Sequence, residues 1–234
     1  MVCIIRIKQD VSYGSTRIAR IDLDQKIPLG QMRYLYGKHP PMFSPQYELA
    51  RAFTAPRVTL DQGALQSLAD LIDLRAMERK MHLLEAGEVS RHLIVVQSGM
   101  LRQFYLKNGK EVTEHFAVEG QAIWCIESLF LGQPSQLVVE VLEDGIYGLV
   151  PYAALKEKAR EHPGFFTLLT GMLEGSLVLS QRKADSWKFE SARERYDRFL
   201  EEYPEASRRA SINHIASYLL LTPETVSRVR AGKL

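Results

Sequence analysis

The alternation of apolar and polar positions divides the chain into four stretches. Over residues 1–45 no period of 2 or 3.6 is sustained, and Gly14, Ser15, Gly30, Gly37 and the Pro40–Pro41 pair interrupt it. This stretch is expected to be a poorly ordered leader, with Met32 and Met42 as alternative starts. From Thr59 a short helix is expected. Leu60, Ala64, Leu65, Leu68, Leu71 and Ile72 share one face, and Thr59 with Gln62 has the spacing of a capping box. Between about 74 and 150 short apolar runs (93–96, 101–106, 112–117, 137–142, 146–150) alternate with turn residues, and Asn108–Gly109 signals a hairpin. Regular short strands with glycine turns imply a sandwich, jelly roll or small barrel.

After Pro151 the period becomes helical. One helix is expected over 152–161 and a long one over about 163–189. The first half of the long helix is apolar over a wide arc: Phe165, Phe166, Leu168, Leu169, Met172, Leu173, Leu177 and Leu179. Such a helix is buried on two sides. The β domain supplies one side, and the same helix of a second subunit would supply the other, as in a two-fold dimer. The stretch from Pro163 to Ser180 holds a single charge, Glu174, but it is short for a membrane span and diluted by Gly and Ser. A charged amphipathic helix over 190–202 turns Tyr196, Phe199 and Leu200 inward. The fold class is α+β, with divisions at 1–45, 46–162, 163–189 and 190–234.

Composition sharpens this only locally. The 234 residues are 46% hydrophobic and 25% charged with a net charge of +2, ordinary for a globular chain and excluding disorder, collagen and a polycation. Residues 1–45 hold seven Lys/Arg against three Asp; a basic arm of that kind is ordinarily just solvated. Two cysteines, Cys3 and Cys125, are too few for a disulfide scaffold or a four-cysteine cluster. A reducing cytoplasm is the simpler setting, and the short apolar start is no secretory signal.

The candidate chemistry lies at the C-terminus. A helix starting at Ser211 presents Ile212, Ile215, Ala216 and Leu219. After Leu220–Leu221 a second begins at Thr222, a good N-cap followed by Pro223 and Glu224. Val226 and Val229 face back, which leaves Glu224, Thr225, Ser227, Arg228 and Arg230 outward. This is the helix-turn-helix arrangement, whose second helix enters the DNA major groove. Arg228 suits guanine O6 and N7, and Glu224 suits cytosine N4. Thr225, Ser227 and the free N–H groups at the helix start suit phosphate. Arg208, Arg209, Arg228, Arg230 and Lys233 against Glu224 give residues 206–234 a local charge of +4. Helix pairs of this spacing also serve as plain packing units, so a non-DNA-binding ligand sensor or protein-interaction module is the alternative.

The segment from Ile215 to Leu219 followed by Thr222 to Arg230 resembles the C-terminal helix-turn-helix of the Crp/Fnr regulators, in the branch common in Bacteroidetes. Glu85–Glu88, His92–Leu93, Ser98–Arg102, Gly109–Glu111 and Gly132–Ser135 resemble that branch's β-roll, and Glu194–Tyr196 the start of its DNA-binding domain. The likeness runs from about 50 to 234. It implies a cytoplasmic homodimeric transcription regulator, not an enzyme. An N-terminal cyclic-nucleotide-binding-like β-roll (jelly roll) would be the sensor, residues 163–189 the dimerisation helix, and 190–234 the DNA-binding domain. Double-stranded DNA would be the partner and RNA polymerase a candidate one, with no membrane. Thr222, Glu224, Thr225, Ser227, Arg228, Arg230 and Lys233 would form the DNA-binding set.

Three departures qualify it. Leu220 stands where the family usually has Gly, so a positive φ there is strained. The nucleotide cassette, a Gly-Glu-Leu stretch followed by Arg-Ser, is replaced by Trp124–Leu129 and Pro134–Val138. Glu127, Ser128, Ser135 and Gln136 are then the candidate ligand pocket. With no arginine for a cyclic phosphate, cyclic AMP is not expected to be the effector, and no cofactor is expected. Iron–sulfur cysteines and a haem-ligand pattern are also missing. The wing is expected to be short, since four residues follow Arg230. A β-roll also outlines a metalloenzyme. The six histidines (39, 82, 92, 115, 162, 214) form no ligand spacing, and no nucleophile or phosphate loop occurs. Each histidine is expected at the surface or core edge, and Trp124 and Trp187 as packing anchors.

Overall fold

The computed structural model describes residues 6–8, 20–22 and 43–233. The chain divides into two units, Met1–Pro45 and Gln46–Leu234. In the first, β1 (Arg6–Lys8) and β2 (Arg20–Asp22) pair antiparallel, with Arg6 opposite Asp22. Residues 1–5, 9–19 and 23–42 of the expected leader, with Met32, His39 and Met42, lie outside the described residues.

Next comes α1 (Pro45–Thr54), which the pattern reading did not single out. Its buried Tyr47, Ala50 and Phe53 stand three apart, a helical face. The expected helix at Thr59 is α2 (Gln62–Ala69), and its cap is Asp61, whose carboxylate accepts the Ala64 N–H at 2.8 Å. The capping box assigned to Thr59 and Gln62 is therefore wrong. Gln62 is the first helical residue, too early to reach back, and a carboxylate two residues beyond Thr59 takes the cap. Buried Leu60 and Leu65 occupy the hydrophobic-staple positions around Asp61.

The β region runs β3 (Asp73–Met77), β4 (His82–Leu84), β5 (His92–Ser98), β6 (Leu101–Lys107), β7 (Lys110–Ala117), β8 (Ala122–Ile123), α3 (Ile126–Leu131), β9 (Val138–Val141) and β10 (Gly145–Pro151). Two antiparallel four-stranded sheets result, ordered β3-β10-β5-β8 and β4-β9-β6-β7. Ile94, Val96, Leu101, Val139 and Val141 belong to the core of this roll. The β6–β7 hairpin turns at Asn108 (φ 52°) and Gly109 (φ 74°), the left-handed pair of a two-residue turn. Gly148 on β10 lets the N-terminal helix close in, since a Cβ there would lie 2.7 Å from Leu49 and 2.8 Å from Ile72.

Helix α4 (Tyr152–Glu161) and the 27-residue α5 (Pro163–Phe189) match their expected limits. On α5, Phe165, Leu168, Leu169 and Met172 are buried, while Phe166 is 60% and Leu177 70% exposed. Within one chain, α5 is therefore covered on one side only. The charged helix, α6 (Ala192–Glu202), starts after Glu190 because Ser191 and Glu194 form the capping box. Tyr196 and Phe199 point in as expected, but Leu200 is 38% exposed, a correction to its inward assignment. A further short helix, α7 (Pro204–Arg209), precedes α8 (Ile212–Leu219) and α9 (Pro223–Arg230).

These last helices share a core with the outer side of the roll. Phe116 of β7 lies edge-on to Phe199 and Tyr203, at 6.0 and 5.8 Å between ring centroids. Met100, Val118 and Leu142 join it from the roll; Ile215, Leu219 and Val226 join from the helices. Polar ties cross the same joint. Lys183 donates to the Glu114 carboxylate at 2.6 Å, the Thr113 N–H donates to the Ser217 hydroxyl at 2.9 Å, and His115 Nδ1 meets the Tyr203 hydroxyl at 2.5 Å. No described helix is long and apolar enough to cross a membrane.

Candidate nucleic-acid interface

Local chemistry places α8 and α9. The Ser211 hydroxyl caps α8 by accepting the His214 N–H, and the helix buries Ile215, Ala216, Tyr218 and Leu219. It ends on Leu220, at φ 53° and ψ 43°. The Leu221 N–H bonds back to the Ala216 carbonyl at 2.9 Å, the closing bond of a Schellman turn. The turn thus takes the left-handed form that glycine favours, on a leucine. Thr222 then caps α9 by accepting the Thr225 N–H, with Pro223 in the first turn. Val226 and Val229 are buried, so the opposite side of α9 faces solvent. Gly232, at φ 66°, closes α9, with the Lys233 N–H on the Arg228 carbonyl.

On that open side stand Thr222, Glu224, Ser227, Arg228 and Arg230, with Lys233 just beyond; Thr225 is half-buried. The side chains of Arg228, Arg230 and Lys233 make no hydrogen bond or ion pair with the described residues. The helix start is less free than the sequence suggests. Thr222 takes the Thr225 N–H, and Glu224 takes its own N–H. That bond first, and the Thr222 hydroxyl second, hold the Glu224 carboxyl below its usual range.

The basic cluster of residues 206–234 is split. Arg208 pairs with Glu205 one turn away. Arg209 faces the roll, donating to Glu119 at 2.7 and 3.1 Å and to Glu143 at 3.0 Å. Its hydrogen bonds to Glu143 and then to Glu119 raise its guanidinium further above its already high value. Burial alone would raise Glu119, but the Arg209 bond and backbone N–H groups outweigh it and hold it below its usual range. Of the five cations behind the local +4, Arg208 and Arg209 are therefore paired, and three are left without a partner among the described residues. The partners of Arg209 lie 66 and 90 residues away, so no local sequence signal announces the pairing.

Another residue the sequence reading missed is Arg195, which bonds three backbone carbonyls between α5, α6 and α8. Its Glu-Arg-Tyr setting was visible in the sequence, but its bonds to carbonyls were not.

The four candidate pocket residues sit on or beside α3. The Ser128 hydroxyl accepts the Ser90 N–H at 2.9 Å and donates to the Gln133 carbonyl at 2.6 Å. The Ser135 hydroxyl is engaged with the backbone of Leu137. Glu127 and Gln136 are exposed. Cavities of about 10 and 30 Å³ lie instead around α6, lined by Trp187, Arg195 and Tyr218 and by Phe116, Gln121 and Tyr203, each near the size of a water molecule. Among the described residues no group of three His, Cys, Asp or Glu is placed to hold a metal.

No protein-family model matches the chain, and no curated protein matches it by sequence. Solved structures share its fold. FixK2 from Bradyrhizobium japonicum is 23% identical with a TM-score of 0.60, over 69% of this chain and 83% of that one. The c-di-GMP-responsive global regulator CLP of Xanthomonas campestris is 15% identical with a TM-score of 0.60, over 74% and 91%. A candidate transcriptional regulator of the Crp/Fnr family from Eubacterium rectale is 15% identical with a TM-score of 0.55, over 74% and 83%. The α+β fold, a β-roll followed by a long helix and a helix-turn-helix, is that of these structures.

Proposed function

We propose that this protein is a homodimeric, DNA-binding transcription regulator of the Crp/Fnr type, and that α9 is its recognition helix. The observation that carries the reading is the solvent side of α9. Buried Val226 and Val229 anchor the helix, while Arg228, Arg230 and Lys233 stand exposed without partners among the described residues. A bare cluster of cations on a short helix suits a polyanion, and Arg228 has the two parallel donors that recognise guanine. Glu224 is the second base reader. Thr222, Thr225, Ser227, Arg230 and Lys233 contact the backbone around it.

The open stripe of α5 supports the dimer. Phe166, Leu173 and Leu177 fall seven and eleven residues apart on one face and are exposed in the single chain. A second copy packed there buries them and pairs the two α9 helices. Entry into successive major grooves needs the pair about 34 Å apart. A ligand shifts that spacing only by its differential affinity for two arrangements of the dimer. Cyclic AMP is not that ligand. Neither Trp124–Leu129 nor Pro134–Val138 contains a cation, and both candidate hydroxyls, Ser128 and Ser135, are engaged by the loops themselves. Sub-micromolar cyclic AMP binding by calorimetry contradicts this part of the reading. The regulator acts in the cytoplasm without catalysing a reaction, and RNA polymerase is its candidate protein partner.

The test is selection of bound fragments from the host genome by the purified full chain. A recurring near-palindromic site supports the reading, and Arg228→Ala then weakens binding by about 1–3 kcal/mol and relaxes one base position. Recovery of no enriched sequence overturns it in favour of a protein-contact module.

A further inference from the structure

Arg195 sits in the first turn of α6, yet its guanidinium serves other elements. Nε donates to the Glu190 carbonyl at 3.1 Å, Nη2 to the Trp187 carbonyl at 3.1 Å, and Nη1 to the Leu219 carbonyl at 3.3 Å. Trp187 is in the last turn of α5, and Leu219 is the last residue of α8. Carbonyls at helix ends lack intrahelical partners and carry the negative end of the helix dipole. One cation therefore caps two helices at once. Among the described residues it is the only side chain hydrogen-bonded to both α5 and α8. Neighbouring ties do something else. Arg198 and Ser186 both hold the Glu190 carboxylate, which joins α6 to the linker and leaves α8 alone.

Leu219 also lies directly before the left-handed Leu220, and α9 begins at Pro223. Whatever fixes the end of α8 fixes the start of α9. We infer that Arg195 is a positioning residue for DNA reading: its planar fork locks the end of the dimer-forming helix to the turn that launches the recognition helix, and so sets the half-site spacing the dimer accepts. The inference rests on the DNA-binding dimer proposed above. Lysine is no substitute, because a single ammonium lacks the rigid, multi-armed geometry.

The experiment uses the full-length protein and the duplex recovered by genomic selection, with its half-site centres moved by one and two base pairs. Each base pair shifts the second half-site about 3.4 Å along the axis and about a tenth of a turn around it. The wild type is expected to lose about tenfold or more in affinity per displaced base pair, the scale of a mismatched site. Arg195→Ala and Arg195→Lys are expected to reduce that discrimination to under about threefold, with single-half-site affinity unchanged. A purely structural role would weaken every spacing alike. Arg195→Lys keeps the charge at both helix ends, so it decides the matter if Arg195→Ala fails to fold. Variants that keep the wild-type spacing preference overturn the inference, as does a wild type that binds duplex with no spacing preference, and both leave the DNA-binding reading standing. A wild type that binds no duplex overturns both.

Discussion

Leu220 is strained: with Lys80 and Asn108 it is one of three described non-glycine residues at positive φ, and the one at the turn of the helix pair. A leucine at φ 53° costs about 1–2 kcal/mol relative to a right-handed residue, and its side chain, 46% exposed, recovers little of that by burial. Leu220→Gly is therefore expected to stabilise the fold by about 0.5–1 kcal/mol, the relief being partly offset by the freedom glycine gains when unfolded, and a urea-denaturation midpoint measures it. A lower midpoint would mean that the leucine side chain holds the turn. On and just after α9 two cations separate by role. Arg228→Ala loosens one base position, whereas Lys233→Ala weakens all sequences alike and reduces the salt slope by about one per protomer.

At the scale of elements, the joint between β7 and α6–α8 governs how the C-terminal helices sit. His115 is held neutral there. Burial first, and the positive Lys183 second, lower its pKa from 6.5 to about 4. The unfolded chain binds this proton more readily, so stability is full above about pH 6.5 and falls as pH drops toward 4. The slope is up to about 1.4 kcal/mol per unit. His115→Asn is expected to flatten that limb in a pH series of thermal melts, while the loss below 4.5 from Glu119, held below its ordinary value by Arg209, persists. Arg209→Ala is expected to cost about 1 kcal/mol, a modest figure because Glu119 and Glu143 are 45% and 35% exposed. Faster hydrogen exchange confined to α7 and the end of β7 is the signature of that loosening.

This joint also marks the boundary of what the sequence reveals. The α8–α9 pair was legible because caps, Pro223 and the Val226–Val229 spacing act within a few residues. The roll was legible through its period-2 runs and Asn108–Gly109. β4 and β8 are only three and two residues long, too short to show an alternation, and α7 has only Ala206 buried, so neither pattern flags them. Arg209 counted toward the free positive charge of residues 206–234 because its carboxylates come from distant turns. The candidate pocket likewise looked free because the backbone groups engaging Ser128 and Ser135 depend on how the loops close.

For the whole molecule, the claim is that an exposed cationic helix, doubled by α5, reads duplex DNA. Its most direct test is the salt dependence of the full-length protein's affinity for a selected fragment. With about six phosphate contacts per dimer, log affinity falls against log salt with a slope of about −5. A slope near zero, or affinity no greater than for an uncharged competitor surface, contradicts it.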